Sequence, residues 1–268
     1  MTQNILSIAG SDPSGGAGIQ ADLKTFSALG CYGMAAITAL TAQNTTGVSG
    51  VHEVPHDFLG EQIQSIFSDI QVHALKIGMA GNVRSIGVIS EMIQRHNPVN
   101  IVLDPVMVAT SGDKLLSAEA VDALRRQLVP LADMITPNIP EAEILLGKTL
   151  SQHYKHDMED MARDLLQLGC KSVVLKGGHL HGPSSDDVFC DQDGNTEILH
   201  ASRVKTNNTH GTGCTLSSAL ACYLAKGLPP LEAAHAAKKY LSQALGHADD
   251  LRVGCGKGPV HHFYNFWN

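Results

Sequence analysis

The chain has 268 residues, of which 43% are hydrophobic and 17% are charged, and its formal net charge is −7 at pH 7. This balance is ordinary for a globular protein and excludes a disordered or coiled-coil chain. The acidic charge disfavours nucleic acid and anionic membranes as partners, so an anionic ligand would need helix N-termini and a few lysines to hold it.

Neither the cysteines nor the apolar runs indicate an exported or membrane-bound protein. The cysteines form no CxxC pair and show no regular spacing, so we expect reduced thiols. The first residues lack a basic stretch followed by a long apolar run, and no run of about 18 apolar residues occurs. We therefore expect a cytoplasmic protein with no membrane span. The cysteines are Cys31, Cys170, Cys190, Cys214, Cys222 and Cys255.

Short apolar runs recur along the chain and predict the strands of a parallel sheet. They show no alternation of apolar and polar residues, which is typical of strands covered on both faces. Helical patterns lie between them, so strand and helix alternate from end to end. We predict a doubly wound, mostly parallel α/β sheet with helices on both faces, in a single domain over residues 1–268. The predicted strands cover residues 5–9, 74–77, 101–103, 134–135 and 172–175.

Three apolar stripes predict amphipathic helices. The first stripe follows a glycine-rich segment, the second ends at Gly169, and the third ends at Gly227 before two prolines. The stripes consist of Ile19, Leu23, Phe26 and Leu29; of Met158, Met161, Leu165 and Leu168; and of Leu216, Ala219, Leu220, Tyr223 and Leu224.

Two segments depart from the strand and helix alternation. Residues 186–204 predict a β-hairpin that turns at Asp193-Gly194. Residues 32–55 predict two strands joined near residues 44–50.

Polar residues and glycines follow the predicted strands. An open parallel sheet binds ligands at the carboxyl ends of its strands, and those ends lie along one edge. We therefore expect an aspartate, an asparagine and a lysine to converge there, as a site for phosphate and metal would require. The residues at these positions are Gly10-Ser11-Asp12, Gly78-Met79, Asp104-Pro105, Asn138 and Lys176-Gly177-Gly178.

The first glycine-rich cluster covers residues 10–22. It lacks the Lys and Ser/Thr of a phosphate-binding P-loop. It matches a dinucleotide fingerprint only formally, at Gly16, Gly18 and Ala21, because the next acid, Glu53, is too distant to bind a ribose. Two interpretations stay open: a turn from strand to helix, or a loop that approaches a small ligand, with Asp22 one turn into the helix.

The second glycine-rich cluster, residues 207–215, opens the third predicted helix. Glycines there let backbone N–H groups point at one spot, and the helix dipole adds positive potential. This arrangement suits the charge on a transferring phosphoryl group. At such a helix start we expect Cys214 to favour its thiolate; the alternative is an inert buried cysteine.

Three further side chains are candidates for a metal and phosphate site. Glu141 and Asp104 could hold Mg²⁺, partly through water. Asn138 and Glu141 could instead form a capping box, and Asp104 could lie at the surface. Lys176 could neutralise phosphate oxygens or be solvated. The His261-His262 pair has no further ligand at metal spacing, so we interpret it as packing or tail.

Six ordered motifs make the chain resemble a known family nearly end to end. It is similar to the hydroxymethylpyrimidine/phosphomethylpyrimidine kinases of thiamine biosynthesis, in the ribokinase-like superfamily. The resemblance implies two ATP- and Mg²⁺-dependent phosphorylations of 4-amino-5-hydroxymethyl-2-methylpyrimidine, first to the monophosphate and then to the diphosphate. The motifs are residues 10–12 with 15–24, residues 104–107, Asn138 with Glu141, residues 175–179, residues 209–214 and the tail 258–263.

The resemblance also implies roles for individual residues. Many sugar kinases of the superfamily carry aspartate where Cys214 stands, so Cys214 would act at the transfer centre. Gly10, Asp22, Gln43, Met79 and Val106 would surround the pyrimidine; Asn138 and Glu141 would organise Mg²⁺ and phosphates, with Asp104 as a second metal candidate; and Lys176, Thr209, Gly211 and Gly213 would hold the phosphates.

Cys214 suits an enzyme with two acceptors. The first acceptor is an alcohol, whose proton must leave as the O–P bond forms, whereas the second is already an oxyanion. The hypothesis is that loss of Cys214 slows the first transfer more than the second.

Three other interpretations compete with this one. They are a pyridoxal or pyridoxine kinase of the same superfamily, a non-catalytic pyrimidine sensor, and a nicotinamide-dependent oxidoreductase. Relatives of the family suggest a homodimer, and residues 107–114, with Gly112, could close over the phosphates.

Overall fold

The computed structural model describes residues 1–107, 116–148 and 155–267. Its centre is a nine-stranded sheet in the order β3-β2-β1-β4-β5-β6-β7-β8-β9. The strands are β1 (Asn4–Ser11), β2 (Tyr32–Asn44), β3 (Gly47–Glu53), β4 (Ala74–Ile77), β5 (Ile101–Leu103), β6 (Met134–Ile135), β7 (Ser172–Lys176), β8 (Asp187–Asp191) and β9 (Thr196–Leu199).

Six neighbouring strands, from β2 to β7, run parallel, while β3, β8 and β9 pair antiparallel with their neighbours. The predicted strands coincide with β1, β4, β5, β6 and β7 to within a few residues. These strands have continuous apolar sequences because helices cover both faces of the sheet. The predicted α/β class with a mostly parallel sheet is confirmed.

In the described residues, eight helices cover the two faces of the sheet. The face covered by α2 to α6 carries one apolar core, and the face covered by α1, α7 and α8 carries another. The helices are α1 (Gly18–Ala28), α2 (His56–Phe67), α3 (Val83–His96), α4 (Ala118–Ala123), α5 (Ile139–Leu146), α6 (Lys155–Leu166), α7 (Thr212–Ala225) and α8 (Pro230–Gly246), with short π or 3-10 turns at Leu124–Leu128, Val129–Leu131 and Ala248–Asp250.

The three predicted stripes lie on α1, α6 and α7, except that Leu29 and Leu168 follow the ends of α1 and α6, and most of the stripe residues are buried. The exceptions include Tyr223, which is only partly buried on α7. The helices therefore form where the apolar spacing predicts them.

Both predicted antiparallel additions are present. Strands β8 and β9 form the hairpin, with Gly194 in its turn at φ +90°. Strands β2 and β3 form the other pair, but the turn between them is shorter than predicted. Only Thr45 and Thr46 separate the strands, and residues 47–50 already belong to β3.

The parallel register positions the site at one edge. A shift in the β1–β2 register between Ala9 and Ser11 places Gly10 at an irregularity, directly before the loop that leads to α1. None of the helices in the described part of the chain is long and apolar enough to cross a membrane.

Candidate active site

A cavity of about 650 Å³ lies at the carboxyl ends of the parallel strands. It is the position that the strand order predicts for a ligand. Eleven of the predicted site residues and Cys214 line it together, whereas Asp22 does not. The predicted residues at the cavity are Gly10, Gln43, Met79, Asp104, Val106, Asn138, Glu141, Lys176, Thr209, Gly211, Gly213 and Cys214.

One end of the cavity is formed by β1, β2 and the segment after β4. A side-chain carbon at Gly10 would overlap the methyl group of Met79, so glycine leaves the space that Met79 fills. The Gln43 side-chain oxygen accepts a hydrogen bond from Thr41 Oγ1 at 3.2 Å. Its amide nitrogen lies 3.5 Å from His210 Nε2. This end therefore combines apolar side chains with one amide that can hydrogen-bond to a ring nitrogen or an amino group.

Asp12 and His210 also line this end, and sequence reasoning assigned neither a role. Asp12 Oδ2 lies 2.8 Å from His210 Nε2 and accepts the backbone N–H of Gly16 and Ala17 at 3.1 and 2.8 Å. Burial acts to raise the pKa of Asp12, but the hydrogen bonds from His210 and Ser14 outweigh it and lower the pKa to about 2. A charged Asp12 thus fixes the glycine-rich loop against the residue that precedes Gly211.

The opposite wall is the N-terminus of α7. Gly211 precedes the helix with φ +79°, and no side chain caps the first turn. The first backbone N–H groups of a helix have no partner within it, so those of this turn can bind an anion. A side-chain carbon at Gly213 would lie 3.3 Å from both Asp104 Oδ2 and Lys176 Nζ. The glycine therefore keeps the turn close to the charged groups of the cavity.

Lys176 joins two carboxylates at the ends of neighbouring strands. Its Nζ lies 2.8 Å from Asp104 Oδ1 and 3.9 Å from Glu141 Oε2. Asp104 Oδ1 also accepts a hydrogen bond from Thr136 Oγ1 at 3.0 Å. Burial acts to lower the pKa of Lys176, but Asp104 and Glu141 outweigh it and raise the pKa. The lysine is therefore a fixed cation at the cavity wall, and the two alternatives of solvated Lys176 and surface Asp104 are wrong.

Asn138 and Glu141 form the capping box that the sequence left open. Asn138 Oδ1 accepts the backbone N–H of Glu141 at 2.9 Å, and Glu141 Oε2 accepts that of Asn138 at 2.8 Å. Burial raises the pKa of Glu141 to about 7, while Lys176 opposes the rise and Asp104 adds to it. The capping role and a role at the cavity are compatible, because both residues line it.

The donor set fits a magnesium ion. Asp104 and Glu141 offer carboxylate oxygens and Asn138 offers an amide at one edge of the cavity. Mg²⁺ is commonly held by one or two carboxylates, with waters and substrate phosphates as its other ligands. Among the described residues, no group of three or more His, Cys, Asp or Glu could hold a metal by itself. The ion would therefore depend on the phosphates for part of its coordination.

Cys214 is a neutral thiol in the structure, whereas the sequence predicts a thiolate. It is the third residue of α7 and partly buried at the cavity. Burial raises the pKa of its thiol to about 11; Lys76 opposes the rise, and Asp22 and Asp104 add to it. The expectation that the helix start favours the thiolate is wrong for the unliganded protein, because burial and two carboxylates outweigh the helix end.

Asp22 lies beneath the cavity and does not line it. Its carboxylate accepts hydrogen bonds from Ser7 Oγ at 2.6 Å, Lys76 Nζ at 2.8 Å and Ser218 Oγ at 2.7 Å. Lys76 does reach the cavity, although it is fully buried. The sequence signal for this buried ion pair is a lysine, Lys76, in the middle of the apolar strand β4.

The other end of the cavity lies between α7, α8 and residues 201–204, and sequence reasoning missed it. Leu216, Leu241 and Leu245 line it. Its polar wall is fixed by two cations. Lys238 Nζ donates to Asp187 Oδ2 at 2.6 Å and to the Ser185 carbonyl at 2.5 Å.

Arg203 holds the loop beside that end. Its guanidinium donates to the carbonyls of Gly178, Leu180, Gly182 and Ser184, at 2.5 to 2.9 Å. Every one of these acceptors lies between β7 and β8. No residue motif in the sequence pointed to Arg203, because its function depends on carbonyls of a loop about twenty residues away.

His261 and His262 pack as expected, inside the C-terminal segment. Thr215 Oγ1 donates to the Gly211 carbonyl at 2.8 Å and lies 3.0 Å from His262 Nε2, so His262 donates to Thr215. Burial lowers the pKa of His262 to about 3, with Lys24 and His261 adding to the effect. The histidine therefore supports the turn at Gly211 in its neutral form. Of the predicted lid, residues 108–114 lie outside the described residues.

The family model for phosphomethylpyrimidine kinase matches residues 12–261. The chain belongs to the phosphomethylpyrimidine kinase family. A hydroxymethylpyrimidine/phosphomethylpyrimidine kinase of Rhizobium meliloti is 50% identical over 268 residues, which covers 100% of this chain and 99% of the relative. Membership confirms the predicted resemblance and favours the kinase over the oxidoreductase interpretation.

Solved structures of the superfamily share the fold. The phosphomethylpyrimidine kinase of Clostridium difficile superposes with a TM-score of 0.81 at 45% identity, covering 91% of this chain and 100% of that one. An ADP complex of Bacillus subtilis pyridoxal kinase superposes with a TM-score of 0.91 at 37% identity, covering 100% of both chains. The ribokinase-like fold is therefore confirmed, and this family of kinases uses ATP.

Proposed function

We propose that this chain transfers the γ-phosphoryl group of ATP to 4-amino-5-hydroxymethyl-2-methylpyrimidine and then to the resulting monophosphate, in thiamine biosynthesis. The observation that carries the proposal is the two-ended cavity. One end is lined by small and apolar residues and by the Gln43 amide. The other end is an apolar crevice beside α8, and residues 211–214 lie between the two ends. The names of the relatives, which state both kinase activities, support the choice of acceptor.

The acceptor end suits a small aminopyrimidine. Gly10, Met79 and Val106 leave a flat apolar space, and the Gln43 side chain, with one acceptor and two donors, can pair with a ring nitrogen and an exocyclic amine. His210 and the charged Asp12 hold the neighbouring loop in place. We assign recognition of the ring to this set, and Asp22 supports it from below.

The transfer itself is catalysed mainly by position and charge. Phosphoryl transfer is loose, with charge spread over the phosphoryl oxygens, so backbone donors and cations at fixed positions stabilise it. Gly211 and Gly213 supply the helix N-terminus, Lys176 supplies the cation, and Thr209 borders the same turn. The acceptor oxygen forms a bond to the γ-phosphorus, and the bond to the bridging oxygen of ADP breaks.

Asp104, Asn138 and Glu141 would hold Mg²⁺ through oxygen atoms and water. The ion would supply charge neutralisation between the phosphates. The protein's own part is to keep Glu141 next to Lys176 through the capping box. Lys176 favours the charged carboxylate that such an ion needs.

Cys214 would accept the acceptor's proton in the first transfer. The acceptor alcohol loses its proton to the sulfur as the O–P bond forms, so the thiolate becomes a thiol. In the second transfer the acceptor is a phosphate oxyanion and no proton has to move. The raised pKa of Cys214 means that the thiolate is a minor form, which limits the first step more than the second.

The same proposal extends to the state of the protein in the cell. The chain would act as one kinase domain over residues 1–268, in the cytoplasm, as a homodimer. Exposed apolar side chains on the β2–β3 pair and α2, namely Leu40, Val51 and Phe58, would be covered between two copies. Light scattering of the purified protein checks this, and a monomer at micromolar concentration contradicts it.

The decisive experiment incubates purified protein with Mg·ATP and the hydroxymethylpyrimidine and follows the products by mass over time. We expect the monophosphate to appear first and then give way to the diphosphate. A parallel reaction contains pyridoxal, because the fold is close to that of a pyridoxal kinase. Phosphorylation of pyridoxal alone moves the protein to the vitamin B6 kinases. Binding of the pyrimidine with no ATP consumption favours a sensor instead.

A further inference from the structure

A fully buried lysine lies beneath the floor of the cavity. Lys76 is 0% exposed on β4, and its Nζ donates to Asp22 Oδ2 at 2.8 Å. A side-chain carbon added to Gly78 would lie 2.7 Å from that nitrogen, so the ammonium group fills the space under the end of the strand. Burying a charge is costly unless it is paired and hydrogen-bonded.

The partner of Lys76 is held from three other elements. Asp22 lies on α1, and besides Lys76 of β4 it accepts hydrogen bonds from Ser7 of β1 and Ser218 of α7, at 2.6 and 2.7 Å. A buried ion pair is often no more stabilising than apolar residues of the same volume. Stability alone therefore does not account for two charges at this position.

The pair lies one helical turn below Cys214. Ser218 follows Cys214 by four residues on α7, and Asp22 follows Gly18 by four residues on α1, so each lies on the same face one turn further in. Gly18 and Cys214 both line the cavity above this pair. The thiol thus belongs to the first turn of α7, one turn above the Ser218 hydroxyl that binds Asp22.

The charged groups around the thiol come from several elements. Lys76 faces it from β4, Asp22 from α1, Asp104 from the end of β5 and Lys176 from the end of β7. Lys76 is the strongest of the groups that favour a negative charge on Cys214, whereas the two carboxylates oppose it. Burial acts to lower the pKa of Lys76, but Asp22, Cys214 and Asp104 outweigh burial and raise it.

We propose that Lys76 is a positioning residue of the transfer centre, whose buried ammonium stabilises negative charge on Cys214 while Asp22 keeps that ammonium charged and fixed. The inference rests on the proposed function in one respect, the role of Cys214 as proton acceptor. Before the first transfer the thiol loses its proton to solvent, and Lys76 balances the charge that remains. The alcohol proton then restores the thiol as the O–P bond forms. Lys76 itself neither gains nor loses a proton.

The test compares the original protein with the double variant Asp22→Asn/Lys76→Met, which removes the pair whole and leaves no unpaired ion. Lys76 acts on Cys214 more strongly than Asp22 does, so loss of both charges leaves a negative charge on Cys214 less stable. The rate of alkylation of Cys214 by iodoacetamide is followed at several pH values by peptide mass spectrometry. We expect the double variant to react at least about fivefold more slowly, since a partly buried charge pair is worth a factor of this order. Equal rates in folded proteins overturn the inference.

A second readout separates positioning from packing. With Mg·ATP and the hydroxymethylpyrimidine, kcat of the first transfer should fall in the double variant relative to the original protein, with KM for ATP unchanged. A lower melting temperature with unchanged kcat shows a structural pair only and overturns the inference.

The exposed pair Lys148–Asp164, at 2.6 Å, supplies the matched control. In Asp164→Asn/Lys148→Met, Cys214 should be alkylated at the same rate as in the original protein. Alkylation needs neither ATP nor acceptor, so it reports on Lys76 even if the proposed acceptor is wrong.

Discussion

Two residues at the start of α7 are constrained in different ways. Gly211 must leave room for backbone, since a side-chain carbon there would overlap the carbonyl oxygen of Gly16. Cys214, three residues on, places its thiol in a partly buried position between acids and amines. If the proposed function holds, this turn needs a residue without a side chain at one position and a specific thiol three residues later.

Replacing Gly211 with alanine should abolish most activity. Its φ of +79° and its contact with Gly16 both exclude a side chain, so the turn and the loop at residues 12–17 must move apart. A displacement of about 1 Å in such a site can lower the rate by about 100-fold. Initial rates with saturating Mg·ATP measure the loss.

Gly227→Ala is the control for Gly211→Ala. Gly227 has φ +87° but no atom within 4 Å of an added carbon. It should cost about 1 kcal/mol of stability and leave the rate unchanged. Similar rates for both variants would contradict an anion site at Gly211.

Replacing Cys214 with alanine should slow the first phosphorylation more than the second. Only the alcohol acceptor must lose a proton, and proton transfer by a positioned group contributes roughly 100-fold or more. The two rates are measured separately, with the hydroxymethylpyrimidine and with its monophosphate as starting acceptors. Equal losses in both rates would show that Cys214 binds an anion or supports the fold. Cys214→Ser keeps the shape and should behave like the alanine variant.

At the scale of elements, the start of α5 shows how a helix cap takes part in a site. The two reciprocal hydrogen bonds between Asn138 and Glu141 satisfy two backbone N–H groups at the start of the helix. They also hold the Glu141 carboxylate near Lys176. One interaction therefore serves stability and charge placement.

This double role can be separated by comparing two caps. Asn138→Ala and Asn82→Ala each remove a capping asparagine, from α5 and α3, and each should cost about 1 kcal/mol in the free energy of unfolding. Only Asn138 lines the cavity, so only its loss should also lower kcat and raise the Mg²⁺ concentration needed for half-maximal rate. Denaturant unfolding and Mg²⁺ titrations provide the two measurements. Equal activity in the two variants would remove Asn138 from the site.

Local patterns predict the elements and one half of the site. Apolar runs reveal β1 and β4 because both faces of these strands are buried, and the glycines around residue 211 reveal a helix start open to an anion. The contact of Asp12 with His210 spans 198 residues, so no local pattern can contain it. The role of Lys76 was missed for the same kind of reason, because its ion-pair partner Asp22 lies on another element, 54 residues away in the sequence.

At the scale of the whole molecule, the C-terminal segment makes the protein sensitive to acid. His262 is buried and neutral, with its pKa lowered to about 3, whereas in the unfolded chain it takes up a proton near pH 6.5. Its contribution to stability is therefore complete above pH 6.5 and is lost as the pH falls from there toward 3. The loss amounts to about 1.4 kcal/mol per pH unit for one proton.

Between pH 6 and 4, His262→Gln should reduce the slope of the unfolding free energy against pH. The reduction should correspond to the uptake of about one proton fewer on unfolding. Urea unfolding at several pH values measures the slope. The exposed His52→Gln is the control and should leave the slope as in the original protein. An unchanged slope in His262→Gln would mean that the histidine is charged in the folded state.

The docking of residues 251–267 has a consequence for protein synthesis. Lys257 N–H donates to the Thr45 carbonyl at 2.9 Å, His210 N–H donates to the Gly258 carbonyl at 3.0 Å, and His262 supports Thr215. Residues near His262 thus brace a turn that lies earlier in the chain, as the 47-residue separation of Thr215 and His262 shows. A nascent chain that has completed α8 has its whole sheet but lacks this brace, so the proposed phosphate site would be held in place only once residues 251–267 have been made and docked.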